Sequence, residues 1–414
     1  MVEDAVIPLV TADSPGFDFE VKNERRDRTL PIRYDGNTTV WKYQSSFFDK
    51  GYQHFKYWQQ GSAKEEWVDS GNRGGEMRAR QCIWMMNTLV ALMIAQVLVL
   101  GLSAQTPKLE QIHVLTLVGP PLAVIVGEKR GTFAKFGIEV ATENFASSDL
   151  MRAALAAGKG DLAYTAVDNA VAMVEISGVD VVIVSGGEGS QNELIVQPDI
   201  KSIKQLQGKT LLVDAVNTAY ALQLKKILLL SGMQSGRDYE MKGFGATPLR
   251  LEGLLKHKEF AGSMLGAPAS ISAKNAGLVS LGSVPDLLGA YQAGGHFARR
   301  KWADDHRESL VKYLAAYIQS QRWMMDPANK KQVIEIMTEE YKLAPEVATG
   351  TYELSMTRPG GFEKDAQLDQ EGFKNVLKLR AEVEGQWGGH LPSARNYYDD
   401  TYYHAALGKV IAAK

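Results

Sequence analysis

NFASSDLMRAALAAGKGDLAYTAVDNAVA, residues 144–172, is the stretch that decides the fold. It reads as a helix, a tight glycine turn, a short buried strand and the start of a second helix. Ser147 and Ser148 are N-cap residues, and Leu150, Ala154, Leu155 and Ala157 recur at helical spacing behind them. Gly158 and Gly160 stop that helix, because glycine adopts positive φ without a steric penalty. Leu162–Thr165 lacks the alternation of an exposed strand and suits a buried parallel one. Asp168 and Asn169 then cap the next helix. Two helix N-termini and one strand's carboxyl end thus face a common crevice, where free N–H groups and short polar side chains suit a small polar ligand.

Outward from this stretch the α/β pattern continues. Upstream, a strand from Gln111 is broken at Gly119-Pro120-Pro121, followed by a helix over Val124–Arg130 and a strand over Ile138–Ala141. Downstream comes the strand Val179–Ser185, which completes a parallel sheet with helices on both faces. Glu193–Gln197 is extended and Pro198-Asp199-Ile200 reads as a crossing, after which a second α/β pattern begins. Its strands are placed at Thr210–Val213, Glu240–Gly243, Ser263–Leu265 and Leu278–Leu281. From Tyr291 onward the spacing of apolar residues is mostly helical.

At 414 residues with a net charge of −2, the chain holds two ordinary domains and shows no basic stripe for nucleic acid. Its single cysteine, Cys82, permits neither an internal disulfide nor a thiolate metal site. Residues 1–76 are aromatic and charged, and read as an extension from a start assigned too far upstream, or as a disordered segment. Residues 77–104 read as a signal peptide. Arg78 and Arg80 precede an apolar run, Ile83–Leu102, and Leu102-Ser103-Ala104 supplies the small residues of a cleavage site. The expected location is therefore periplasmic or secreted; the alternative is an anchor formed by residues 83–102.

Several segments resemble one protein family. Gly119-Pro120-Pro121-Leu122 with the stretch Gly131–Val140, the stretch Ala154–Asp161, and Pro198-Asp-Ile-Lys-Ser-Ile-Lys-Gln-Leu-Gln-Gly-Lys-Thr210 resemble ABC-transporter substrate-binding proteins. The branch concerned serves sulfonates, nitrate, taurine and pyrimidine precursors, and includes thiamine-pyrimidine-synthase-like members. The resemblance covers about residues 110–408 and extends to Trp302-Ala-Asp, Trp323-Met-Met-Asp-Pro-Ala-Asn and Tyr397-Tyr-Asp-Asp-Thr-Tyr-Tyr. It implies a two-lobe type II periplasmic-binding-protein fold with a helical C-terminal extension. Lobe one would be 105–197 plus 290–414, and lobe two 198–289. It also implies a monomer that captures a small-molecule ligand and delivers it to ABC permease subunits, with no catalysis and no cofactor. Glu259-Phe-Ala-Gly-Ser-Met-Leu-Gly departs from the family's Gly-x-Val-Asp-Ala, so an acidic pocket residue is missing there.

Ligand-binding candidates are Ser147, Ser148, Thr165, Asp168, Asn169 and Glu188 from lobe one, and Asp214, Asn217, Thr218 and Thr247 from lobe two. Tyr164, Tyr220 and Tyr291 are available for stacking. Helix N-termini favour an anion, whereas the three acids, if they face the crevice, favour a cation, a hydroxyl-rich ligand or a heterocycle with N–H donors. Gly158-Lys-Gly160 follows a helix rather than a strand and is no dinucleotide fingerprint, and Gly208-Lys209-Thr210 lacks the glycine a phosphate loop needs. The seven histidines show no ligand spacing and read as solvated surface. The enzymatic alternative, a pyrimidine synthase of thiamine precursor formation, depends on a cysteine- and histidine-rich iron motif that this sequence lacks. A membrane-anchored ligand sensor is the other alternative.

Overall fold

The computed structural model describes residues 108–412 together with five strands between residues 18 and 69. In the N-terminal unit, β1 (Asp18–Asn23) pairs antiparallel with β2 (Arg28–Arg33), while β3 (Lys42–Phe47), β4 (Tyr52–Gln59) and β5 (Ser62–Asp69) form a second antiparallel set. The expected signal segment, 77–104, lies outside the described residues.

The body of the protein carries two five-stranded sheets. One contains β6 (Glu110–Thr116), β7 (Ile138–Asn144), β8 (Leu162–Ala166), β9 (Val181–Ser185) and β15 (Gly294–Arg299), in the order β7-β6-β8-β15-β9. The other contains β10 (Glu193–Val196), β11 (Thr210–Val213), β12 (Glu240–Gly243), β13 (Phe260–Leu265) and β14 (Val279–Ser283), in the order β12-β11-β13-β10-β14. The sheets are mixed rather than purely parallel. β6, β7 and β8 run parallel, as do β11, β12 and β13, but β15 and β10 are antiparallel to both their neighbours. These are the strands by which the chain enters each sheet from the other, so their direction is reversed.

The crossing also lies earlier than Pro198-Asp199-Ile200. Because β10 belongs to the second sheet, the outward crossing is residues 186–192 and lobe two begins at Glu193. The return crossing, residues 289–293, runs beside it. Ser190 N–H donates to Tyr291 O, Glu188 N–H to Gly294 O, and Ala293 N–H to Glu188 O, so the two crossings form one hydrogen-bonded hinge ribbon.

Helices cover the sheets. In lobe one, α1 (Leu122–Lys129), α2 (Thr132–Lys135), α3 (Ser148–Ala156) and α4 (Asp168–Glu175) alternate with strands. In lobe two, α5 (Ala219–Leu230), α6 (Thr247–Lys256), α7 (Ala269–Asn275) and α8 (Val284–Leu288) do the same. The C-terminal extension contains α9 (Arg300–Asp305), α10 (Arg307–Met325), α11 (Lys330–Glu340), α12 (Pro345–Thr357), α13 (Gln370–Glu384) and α14 (Thr401–Ala412). The β9 sequence, Val-Val-Ile-Val-Ser, is buried along its whole length, as a strand covered on both faces must be. α3 ends where Gly158 takes φ 74°, and its buried face is Met151, Ala154 and Leu155. Leu150, expected in that stripe, is 56% exposed because the true helical phase is one residue later.

Candidate ligand site between the two lobes

α3 and β11 meet across the gap between the sheets. Ser147 is the N-cap of α3, its hydroxyl accepting from Leu150 N–H, whereas Ser148 is already in the first turn. The buried Ser148 hydroxyl donates instead to Asp214 Oδ2, 2.7 Å away just beyond β11. Asp214 Oδ1 accepts from Thr218, the N-cap of α5. Nearby, Ala246 N–H at the start of α6 donates to Ala146 O at 2.9 Å, a backbone bond between the lobes.

Asp168 does not cap α4. It is fully buried and pairs through both carboxylate oxygens with Arg380 of α13, itself fully buried. Burial opposes the Arg380 charge, yet the Asp168 carboxylate overrides it and holds the guanidinium above its ordinary pKa. Arg380 Nη1 also reaches Asn217 Oδ1 in lobe two at 3.2 Å, and Asn217 O accepts from Arg152 of α3. α13 is further tied to α5 by Lys225–Glu384 and Lys226–Glu382 ion pairs at 2.6 and 2.7 Å.

A second buried cation, Arg250, lies under the lobe-two side. Its guanidinium donates to Gly245 O, Met264 O, Ser263 Oγ and Thr247 Oγ1 and sits 5.1 Å from the Tyr220 ring centre. Burial lowers its pKa, and the Asp214 charge partly restores it.

Glu188 is in the hinge ribbon. Burial pushes its carboxyl up to about 7. A Cβ added at Gly294 would lie 2.6 Å from Glu188 Cγ and 3.1 Å from the Tyr164 hydroxyl, so glycine is what lets both side chains approach the returning strand. The buried hydroxyls of Tyr164 and Tyr291 and the Asn169 Oδ1 atom have no hydrogen-bond partner. Such atoms are costly to leave unsatisfied and suit a bound polar group. Behind Tyr164, His296 is fully buried rather than solvated, with Nδ1 2.8 Å from Ser185 Oγ and Nε2 3.1 Å from the Tyr313 hydroxyl. Burial pulls its imidazole down to about 3, so it is a neutral core group. Among the described residues no cluster of three His, Cys, Asp or Glu side chains offers a metal site.

The family profile described as NMT1/THI5 like matches residues 122–329, a span holding every strand of the two sheets except β6. The chain belongs to the NMT1/THI5-like family. No curated protein sequence matches it. Solved structures do. The periplasmic nitrate-binding protein NrtA of Synechocystis PCC 6803 is 15% identical with a TM-score of 0.60, covering 73% of this chain and 90% of NrtA. The ligand-binding component of an ABC-type import system from Staphylococcus aureus, with zinc bound, is 16% identical at TM-score 0.59, covering 72% and 99%. The periplasmic aliphatic sulphonate binding protein SsuA of Escherichia coli is 15% identical at TM-score 0.55, covering 70% and 93%. The fold of this NMT1/THI5-like chain is therefore the two-lobe periplasmic-binding-protein fold.

In the NMT1/THI5-like chain Ser148, Asp168, Asp214, Asn217 and Thr218 meet where the lobes join, but they are occupied by protein partners. Ser148 and Thr218 hold Asp214, Asp168 and Asn217 hold Arg380, Thr247 holds Arg250, and Ser147 serves α3. Thr165 lies on β8 opposite Gly295. Glu188 and Asn169 retain free acceptor atoms. Sequence reasoning missed Arg250 and Arg380. Each occupies a place in an apolar helical face, Arg250 four residues before Leu254 and Arg380 four after Val376, and a cation at such a place needs a buried partner.

Proposed function

We propose that this chain is the extracytoplasmic binding component of an ABC importer. It takes a small polar ligand into the gap between the lobes, hinging about residues 186–192 and 289–293, and hands it to the permease. The observation that carries this reading is the convergence of polar groups from both sheets on one seam, with the Ser148–Asp214 bond at its centre. A ligand touching both lobes favours the closed form by its differential affinity for closed over open. The NrtA and SsuA likenesses support a transport role, and the chain's single cysteine gives the enzymatic alternative no support. Export would follow from residues 77–104, with cleavage after Ala104, and the mature protein would act as a monomer.

Calorimetry against aliphatic sulfonates, nitrate, pyrimidines and amines, followed by small-angle scattering with any binder, tests the proposal. A saturable binder that reduces the radius of gyration is expected. Binding without compaction, unaffected by substitutions at the seam, would overturn it.

A further inference from the structure

α13 runs from the hinge to the second lobe. Its start is built into the return crossing, where Asp369 N–H donates to Gln292 Oε1 at 2.7 Å and Asn375 Nδ2 to Ala290 O at 2.9 Å. The same Gln292 side chain donates through Nε2 to Glu188 O and Gly294 O, so one buried amide ties both crossings to α13. A Cβ added at Gly372 would lie 2.6 Å from Gln292 N, so glycine is what lets the helix lie this close to the crossing.

The last turns of α13 reach both lobes, but by bonds of different kinds. Toward lobe one, Arg380 pairs with Asp168 through both carboxylate oxygens, and neither side chain has exposed surface. Parting that pair would leave two buried charges uncompensated. Toward lobe two, α13 holds α5 through Lys225–Glu384 and Lys226–Glu382, whose four side chains are 17–36% exposed. Arg380 Nη1 adds a bond to Asn217 Oδ1, a neutral acceptor. Ion pairs already in touch with water lose little when they part, because each charge is solvated where it stands. The side of α13 that can let go is therefore the side facing α5.

We propose that α13 is a strap across the hinge, fixed to lobe one and the crossings, whose grip on Lys225, Lys226 and Asn217 holds the gap shut until it lets go. Such a strap biases the balance of open and closed forms by the free energy of its lobe-two contacts, whatever ligand the gap takes. The inference goes beyond the transport reading and needs only that the lobes move about residues 186–192 and 289–293.

The test is the distance between spin labels on Val118→Cys and Leu249→Cys, exposed positions just past β6 and in the first turn of α6, measured by double electron–electron resonance in the full chain carrying Cys82→Ser. This labelled parent is compared with Lys225→Glu/Lys226→Glu, with the charge swap that adds Glu382→Lys and Glu384→Lys, and with Asp214→Ala as a control on the Ser148 bond. Circular dichroism confirms that each variant is folded. A longer-distance population is expected in Lys225→Glu/Lys226→Glu, larger than in the parent by about threefold or more, with a return to the parent distribution in the swap. Longer distances in Asp214→Ala but not in Lys225→Glu/Lys226→Glu would overturn the strap and leave the hinge standing. A longer-distance population that the swap fails to remove would also overturn it, since charge would then not be what holds α13 to α5. One unchanged distance in all four proteins would remove the strap together with the hinge it acts on.

Discussion

The hydroxyl of Ser148 and the carboxylate of Asp214 lie 2.7 Å apart, the first in the opening turn of α3 on one lobe and the second just past β11 on the other. Each sits where its own sheet presents a helix N-terminus, so this single bond joins the two faces expected to hold a ligand. Replacing Asp214 with Ala strands the Ser148 hydroxyl and leaves the Thr218 hydroxyl only Ala215 O as acceptor. We expect a loss of about 1–3 kcal/mol in urea unfolding and, with a ligand in hand, a faster off-rate. An unchanged midpoint would show that the Ser148–Asp214 bond contributes no net stability.

The Asp168–Arg380 pair has no exposed side-chain surface. Removing one partner leaves a buried charge, so Arg380→Met should lower stability by about 3–5 kcal/mol. The double change Asp168→Leu with Arg380→Met should recover most of that loss. Equal destabilisation in the single and double variants would show that Arg380 acts through Asn217 instead.

Glu188 gives the stability a pH slope. Its folded pKa, about 7, lies above the ordinary 4.5. Between those values the folded chain keeps a proton that the unfolded chain has released, so stability falls as pH rises from about 4.5 through about 7. Glu188→Gln should flatten this slope and be more stable than the parent at pH 8 by about 1–2 kcal/mol. Parallel urea midpoints for the two proteins at pH 5 and pH 8 would refute the assignment.

Gly295 and Gly408 should respond oppositely to alanine. A Cβ at Gly295 would lie 2.6 Å from both Ser185 O and Val167 Cγ1, whereas at Gly408, inside α14, it meets nothing within 4 Å. Gly295→Ala should destabilise by about 1–3 kcal/mol, and Gly408→Ala should stabilise by about 0.5–1 kcal/mol. Thermal unfolding of the two variants checks the sign of each.

Local pattern made much of the fold legible. β11 and β12 fall on Thr210–Val213 and Glu240–Gly243 as expected, since short runs with apolar residues between turn signals leave little freedom. The sheet to which Glu193–Val196 belongs was not legible, because its partners, β13 and β14, follow it by dozens of residues. The same holds at the site. Asp168 at a helix start reads as a cap, and only a partner 212 residues away makes it one half of a buried pair. His296 likewise is set by Ser185 and Tyr313, neither of them local.

Native mass spectrometry of the folded chain, purified without dialysis or added ligand, bears most directly on whether the inter-lobe gap captures a metabolite. A single small molecule at one per chain is predicted, present in the parent and lost from both Tyr220→Ala and Glu188→Gln. A co-purifying molecule retained undiminished by both variants would contradict the account, because whatever it occupied would not be this gap.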